Sequence, residues 1–155
     1  MFIFYGLGNN SLEYLQTKHN LGRLVIEELS KIWELEFCSQ KSYYFCKTSI
    51  DENKLFLLYS SGFMNNSGVP LLDLIQYFKL QNSIKLLVIL QDDSDQLEGN
   101  FKLLPKGGSA GHRGIDSIYQ YIETLKIPDK NILCLKIGIR PINNKQKNSK
   151  FLSKY

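Results

Sequence analysis

The chain has 155 residues, 43% of them hydrophobic and 22% charged, with a formal net charge of +4. That is enough to enclose one core in one ordinary domain, and too mild a basic excess to demand a nucleic-acid partner while permitting an anionic one. Cys38, Cys46 and Cys134 are an odd number with no CxxC or Cys/His ligand spacing, which argues against a disulfide framework and a zinc site and for a reducing, cytoplasmic setting. No apolar run approaches the roughly 18 residues a membrane span needs, so no membrane partner is expected.

Ile3 to Leu7 is short, apolar and β-prone and runs into Gly8, which predicts a first buried strand rather than a signal peptide. From Leu21 the spacing becomes helical, with Leu21, Leu24, Val25, Leu29, Ile32 and Trp33 on one stripe. Tyr43 to Ile50 and Lys54 to Tyr59, joined by Asp51-Glu52-Asn53, predict a hairpin. A second helix should start near Ser67, with Asn66 or Ser67 as cap and Pro70 in its first turn, and should bury Leu71, Leu74, Ile75 and Phe78. Ile84 to Leu90 has the unbroken apolar character of a strand covered on both faces, and Gln91 to Gly99 reads as a polar loop after it.

Phe101 to Leu104 is expected to be a short strand, and Gly107 to Gly111 a flexible loop. Ile115, Ile118, Tyr119, Ile122 and Leu125 mark a third helix, and Ile132 to Ile139 a closing strand. The tail from Asn143 to Lys150 is polar and basic, of a composition that favours mobility. Strands alternating with helices predict an α/β fold: a single domain with a mostly parallel mixed sheet and helices on both faces.

In such folds ligands gather outside the carboxyl ends of the strands. The loops Gly8 to Asn20, Ser60 to Asn66 and Gln91 to Gly99 should therefore converge, making neighbours of His19, Asn9, Asn65 and Asp92 or Asp93. A dinucleotide fingerprint is not met: the third glycine is replaced by Ser11, and the acidic residue after the next strand, Asp51, comes too far along and in a turn. Gly6 and Gly8 are then read as turn formers. His19 suits a general base if a carboxylate holds its other ring nitrogen, and Asp92 is the candidate. No serine or cysteine lies in a GxSxG context, so direct attack by water is favoured over a covalent acyl-enzyme. Asn9 and Asn65 offer uncharged amides for holding a carbonyl or a ribose hydroxyl. DDSDQLEGN lacks the ligand order and glycine of an EF-hand loop; neither a metal nor a cofactor is expected.

GLGNNSLEYLQTKHNLG, SGFMNNSG, LLVILQDDSD and KGGSAGHRGIDSI, in that order, closely resemble the signature segments of bacterial peptidyl-tRNA hydrolases, with IGIRP and FLSKY as later landmarks. The resemblance implies an esterase that cuts the bond between a peptide and the 3′ ribose of its tRNA, with peptidyl-tRNA as its partner and a monomeric state. It makes His19 the base and Asp92 the residue that orients it. It gives Asn9 the peptide backbone, and Tyr14, Phe63 and Asn65 the terminal nucleotide.

The chain departs from that pattern in several places. Arg113 stands where the family has asparagine, and either clamps a tRNA phosphate or pairs with Asp92 and draws it from His19. Asn10 replaces a proline and should loosen its loop. Leu104 and Cys134 occupy places usually basic in relatives, while Lys102 and Lys136 remain. The chain also stops at Tyr155, where relatives continue into a further helical segment, so the expectation is one domain over residues 1–155 without that segment. The competing expectation is a catalytically weakened RNA-binding protein on the same scaffold.

Overall fold

The structure is a computed structural model that describes residues 1–11 and 17–142. Tyr14 and the basic tail lie outside the described residues. The elements in order are β1 (Phe2–Gly6), α1 (Leu21–Ile32), β2 (Cys38–Ser39), β3 (Tyr43–Ile50), β4 (Asn53–Ser60), α2 (Gly68–Tyr77), β5 (Leu86–Leu97), β6 (Phe101–Pro105), α3 (Arg113–Leu125) and β7 (Ile132–Arg140). The strands form one seven-stranded sheet in the order β2-β3-β4-β1-β5-β7-β6. Its centre, β4-β1-β5-β7, is parallel, and antiparallel pairs flank it at both edges.

The helices cover both faces. Ile3, Tyr5, Leu58, Leu87 and Ile89 form a core with Leu71, Leu74 and Ile75 of α2 and Ile115, Ile118 and Ile122 of α3. On the opposite face Leu55, Leu57, Val88 and Leu90 pack with Ile26 of α1. Because side chains alternate along a strand, β5 sends Leu87, Ile89 and Gln91 to the first face and Val88, Leu90 and Asp92 to the second.

Three expectations are corrected. The strand that begins the IKLLVIL run does not end at Leu90: β5 continues to Leu97, so Asp92 projects from a strand and not from a loop. β7 accounts for this, because it pairs with Gln91, Asp92 and Asp93 through Lys136, Ile137 and Gly138 and offers the polar segment a ladder. The buried stripe of α1 is Gly22, Ile26 and Ser30, while Ile32 is 71% exposed and Trp33 lies beyond the last helical residue. Finally, Gly6 serves close approach rather than a turn, since a Cβ there would overlap the Gly22 carbonyl and one on Gly22 would overlap that of Leu90. Two glycines facing one another let α1 lie directly on β1 and β5, and that small-residue seam displaces the larger apolar stripe.

Candidate active site

The turn Lys18–Asn20 leads straight into α1 and sets its three side chains on the carboxyl end of the parallel strands. His19 Nδ1 lies 2.7 Å from Asp92 Oδ2. The Asp92 side chain is almost wholly buried, whereas that of His19 keeps a third of its surface open. Burial alone would raise the Asp92 carboxyl; hydrogen bonds from His112 and His19 outweigh it and hold the group down at about 2. The carboxylate is therefore ionised and only accepts, so His19 Nδ1–H is the donor, and Nε2 carries the ring's lone pair with no partner among the described residues.

The second carboxylate oxygen has its own imidazole, with His112 Nε2 at 3.4 Å from Asp92 Oδ1. His112 caps α3, its Nδ1 accepting from the Ile115 N–H at 3.4 Å. One tautomer satisfies both contacts: Nδ1 accepts and Nε2–H donates. This residue was not singled out from sequence. The signal was available in GHRGI, a histidine just before an apolar helical repeat, where a ring nitrogen can act as the cap acceptor.

Asn9 is held by Asn20, the residue that follows His19. Asn20 is 1% exposed; its Nδ2 donates to the Asn9 carbonyl at 3.0 Å, and its Oδ1 accepts from the Asn9 N–H. Asn20 precedes α1 but makes no side-chain cap bond there, since the amide is committed to Asn9. The Asn9 Oδ1 accepts from the Ser11 N–H at 3.1 Å, leaving the Nδ2 hydrogens as its donors.

Asn10, expected only to loosen its loop, makes three hydrogen bonds. Its N–H donates to the Gly62 carbonyl at 3.1 Å, its Nδ2 to that of Ser61 at 3.2 Å, and its Oδ1 accepts from Arg23 Nη1 at 2.6 Å. Proline has no N–H for the first of these bonds. Arg23 is itself fixed by Glu27 at 2.7 Å and lies 4.6 Å above the Tyr59 ring. Asn10 thus ties the first loop to the segment leading to Phe63 and Asn65.

Phe63 precedes the turn Met64–Asn66, which packs against α3. Phe63 is 62% exposed and Asn65 is exposed as well. Arg113 opens α3, is exposed, and is not a partner of Asp92, whose ion-pair contacts are the two histidines. Of the two expectations for Arg113, pairing with Asp92 is therefore overturned. The described residues contain no group of three or more His, Cys, Asp or Glu arranged for a metal ion. No described helix is long and apolar enough to cross a membrane.

Fold and site together define an α/β protein that holds a carboxylate-oriented, solvent-facing imidazole at the carboxyl edge of its parallel strands. The sequence profile of the peptidyl-tRNA hydrolase family matches residues 3–154. A peptidyl-tRNA hydrolase of Wolbachia pipientis wMel is 37% identical over 123 residues, covering 79% of this chain and 66% of that protein; one of Bacillus subtilis is 34% identical over 145 residues, covering 92% and 73%. The crystal structure of peptidyl-tRNA hydrolase from Acinetobacter baumannii superposes with a TM-score of 0.79 at 26% identity, covering 99% of this chain and 76% of that one. The chain belongs to the peptidyl-tRNA hydrolase family, and spans just under two thirds, 66%, of the length of the Wolbachia relative.

Proposed function

We propose that this chain is an esterase that hydrolyses the bond between a peptide and the 3′ ribose oxygen of tRNA, with His19 as general base. His19 Nε2 takes a proton from a water molecule as its oxygen attacks the ester carbonyl carbon. Asp92 orients the ring and stabilises the imidazolium that forms. The tetrahedral oxyanion then collapses, the carbonyl–ribose oxygen bond breaks, and the imidazolium returns its proton to the departing ribose oxygen. The products are a free peptide acid and tRNA. The Nδ2 of Asn9 donates to the peptide backbone, Phe63 and Asn65 receive the terminal nucleotide, and Arg113 meets a phosphate. Tyr14 belongs to the same nucleotide contact by resemblance alone. The enzyme acts as a monomer in the cytoplasm.

The observation that carries this reading is the 2.7 Å contact of His19 Nδ1 with a buried, ionised Asp92, on a side chain that keeps a third of its surface open. The competing RNA-binding reading drew in part on Arg113, which does not divert Asp92: the carboxylate is engaged by two imidazoles. The test is cleavage of N-acetyl-aminoacyl-tRNA by this chain beside His19→Ala. Release of the acetylated amino acid that depends on His19 supports the esterase; binding of the tRNA without release sinks it.

A further inference from the structure

His19 is flanked in sequence by Asn20, which holds Asn9, and by Lys18, whose role the site has not yet used. Lys18 is 8% exposed. Its Nζ pairs with Glu98 and donates to the Ile139 carbonyl at 3.3 Å. Neighbouring side chains in a 3₁₀ turn diverge by about 120°, so Lys18 and His19 reach different places from one short turn. His19 meets Asp92 on β5; Lys18 meets Glu98, six positions further along, together with the backbone of β7.

Glu98 reaches that place because β5 does not run straight. The pairing of β5 with β7 slips between Asp93 and Leu97. The opposite residue is Gly138, where a Cβ would overlap the Leu97 carbonyl. The Glu98 N–H then donates to the Arg140 carbonyl at 2.8 Å, and the Gly138 N–H to that of Asn100 at 2.8 Å. The backbone under Glu98 is thereby fixed, and its side chain turns back to Lys18.

A buried ammonium paired with a half-open carboxylate adds little stability over an apolar side chain of similar size; what such a pair supplies is a directional constraint. We propose that Lys18 and Glu98 are positioning residues for His19: their ion pair, with the Ile139 carbonyl, locks the turn on β5 so that the imidazole stays on Asp92. This inference rests on the esterase reading for its kinetic consequences and on geometry alone for the placement of the ring.

The test compares Lys18→Met, Lys18→Arg and Glu98→Gln in the full chain, each with its thermal melt recorded. With N-acetyl-aminoacyl-tRNA, Lys18→Met should lose about tenfold in kcat with KM within about twofold, and Lys18→Arg should recover most of it. In an Asp92→Asn background the same Lys18→Met change should cost less than about twofold, because there is no longer an oriented ring to lose. Equal losses in both backgrounds, or an unchanged kcat in a folded Lys18→Met protein, would overturn the proposal. Should Lys18→Met not fold, Glu98→Gln decides by the same pair of backgrounds. A readout independent of catalysis is the hydrogen-bonded Nδ1 proton of His19 in the NMR spectrum, expected in the wild type and lost or broadened in Lys18→Met. Its persistence sinks the positioning role even if the chain cleaves its substrate. Its loss supports that role even if wild-type cleavage is absent and the esterase reading fails.

Discussion

On one side of the site, Lys18, His19 and Asn20 each commit their side chains to partners on another segment: Glu98, Asp92 and Asn9. On the other side, the turn that follows Phe63 leaves Phe63 and Asn65 exposed, with no side-chain hydrogen bond for Asn65 among the described residues. On the proposed function, the difference follows from what each group must do. A base accelerates a reaction only when its geometry is set before substrate arrives, so its ordering cost belongs to folding. Groups that recognise a nucleotide are ordered by the nucleotide itself, at the expense of some affinity.

The largest effect expected on this contrast is at His19. His19→Ala removes the base and should lower turnover by about 10²–10⁴ while KM stays within a few fold, as read in single-turnover hydrolysis. An equal loss in KM would mean that the ordered side also binds, and would erase the contrast.

Next in size is Asp92→Asn. The amide can accept from only one of the two imidazoles: with its Nδ2 toward His19 that ring must change tautomer or swing away, and with its Oδ1 there His112 must; turnover should fall by about 10² or more with the fold intact. The same change has a signature in stability. The Asp92 carboxyl lies at about 2 against 3.8 for a free group. A depressed carboxyl stabilises the folded state above its unfolded pKa and loses that contribution as pH falls through its folded pKa. About 2 kcal/mol should therefore be present above about pH 4 and vanish toward pH 2. Denaturant titrations between pH 2 and 6 should show a steeper acid loss in the wild type than in Asp92→Asn.

A smaller effect is expected at His112. His112→Ala removes one of the two hydrogen bonds on Asp92 and the cap of α3, for about tenfold in turnover and up to about 1 kcal/mol in stability, with the carboxyl of Asp92 moving up. A turnover loss as large as that of His19→Ala would make His112 a second base.

His112 also marks where sequence reading ran short. His19 and Asp92 were legible because each adjoins a strongly patterned segment, α1 or the apolar run of β5, and because the ordered motifs around them resemble one family. His112 sits in a glycine-rich stretch whose direction depends on where α3 packs, and its neighbour Arg113 stands out instead, as a departure from the family's asparagine. The fold was legible for the same reason as the dyad: apolar runs and helical spacings placed every main strand and the three α-helices among the described residues. What was lost were features created by contact. β5 extends through DDSDQL because β7 supplies partners for a polar ladder, and α1 turns Gly22 and Ser30 inward because its backbone must approach β1. Neither rule lives in the segment itself.

The smallest effect sharpens the comparison most. Asn65 is exposed and without a side-chain bond among the described residues, so Asn65→Ala should leave stability within about 0.5 kcal/mol. In the proposed nucleotide contact its contribution is made only when substrate is present, and one neutral hydrogen bond is worth about 1 kcal/mol. KM for N-acetyl-aminoacyl-tRNA should then rise about fivefold with kcat unchanged, while Asn20→Ala, which releases Asn9 from inside the fold, should lower both the melting temperature and kcat. If Asn65→Ala lowered kcat with KM fixed, the exposed turn would be contacting the transition state rather than the tRNA end. The division between a side ordered by folding and a side ordered by substrate would then have to be redrawn with Asn65 on the first.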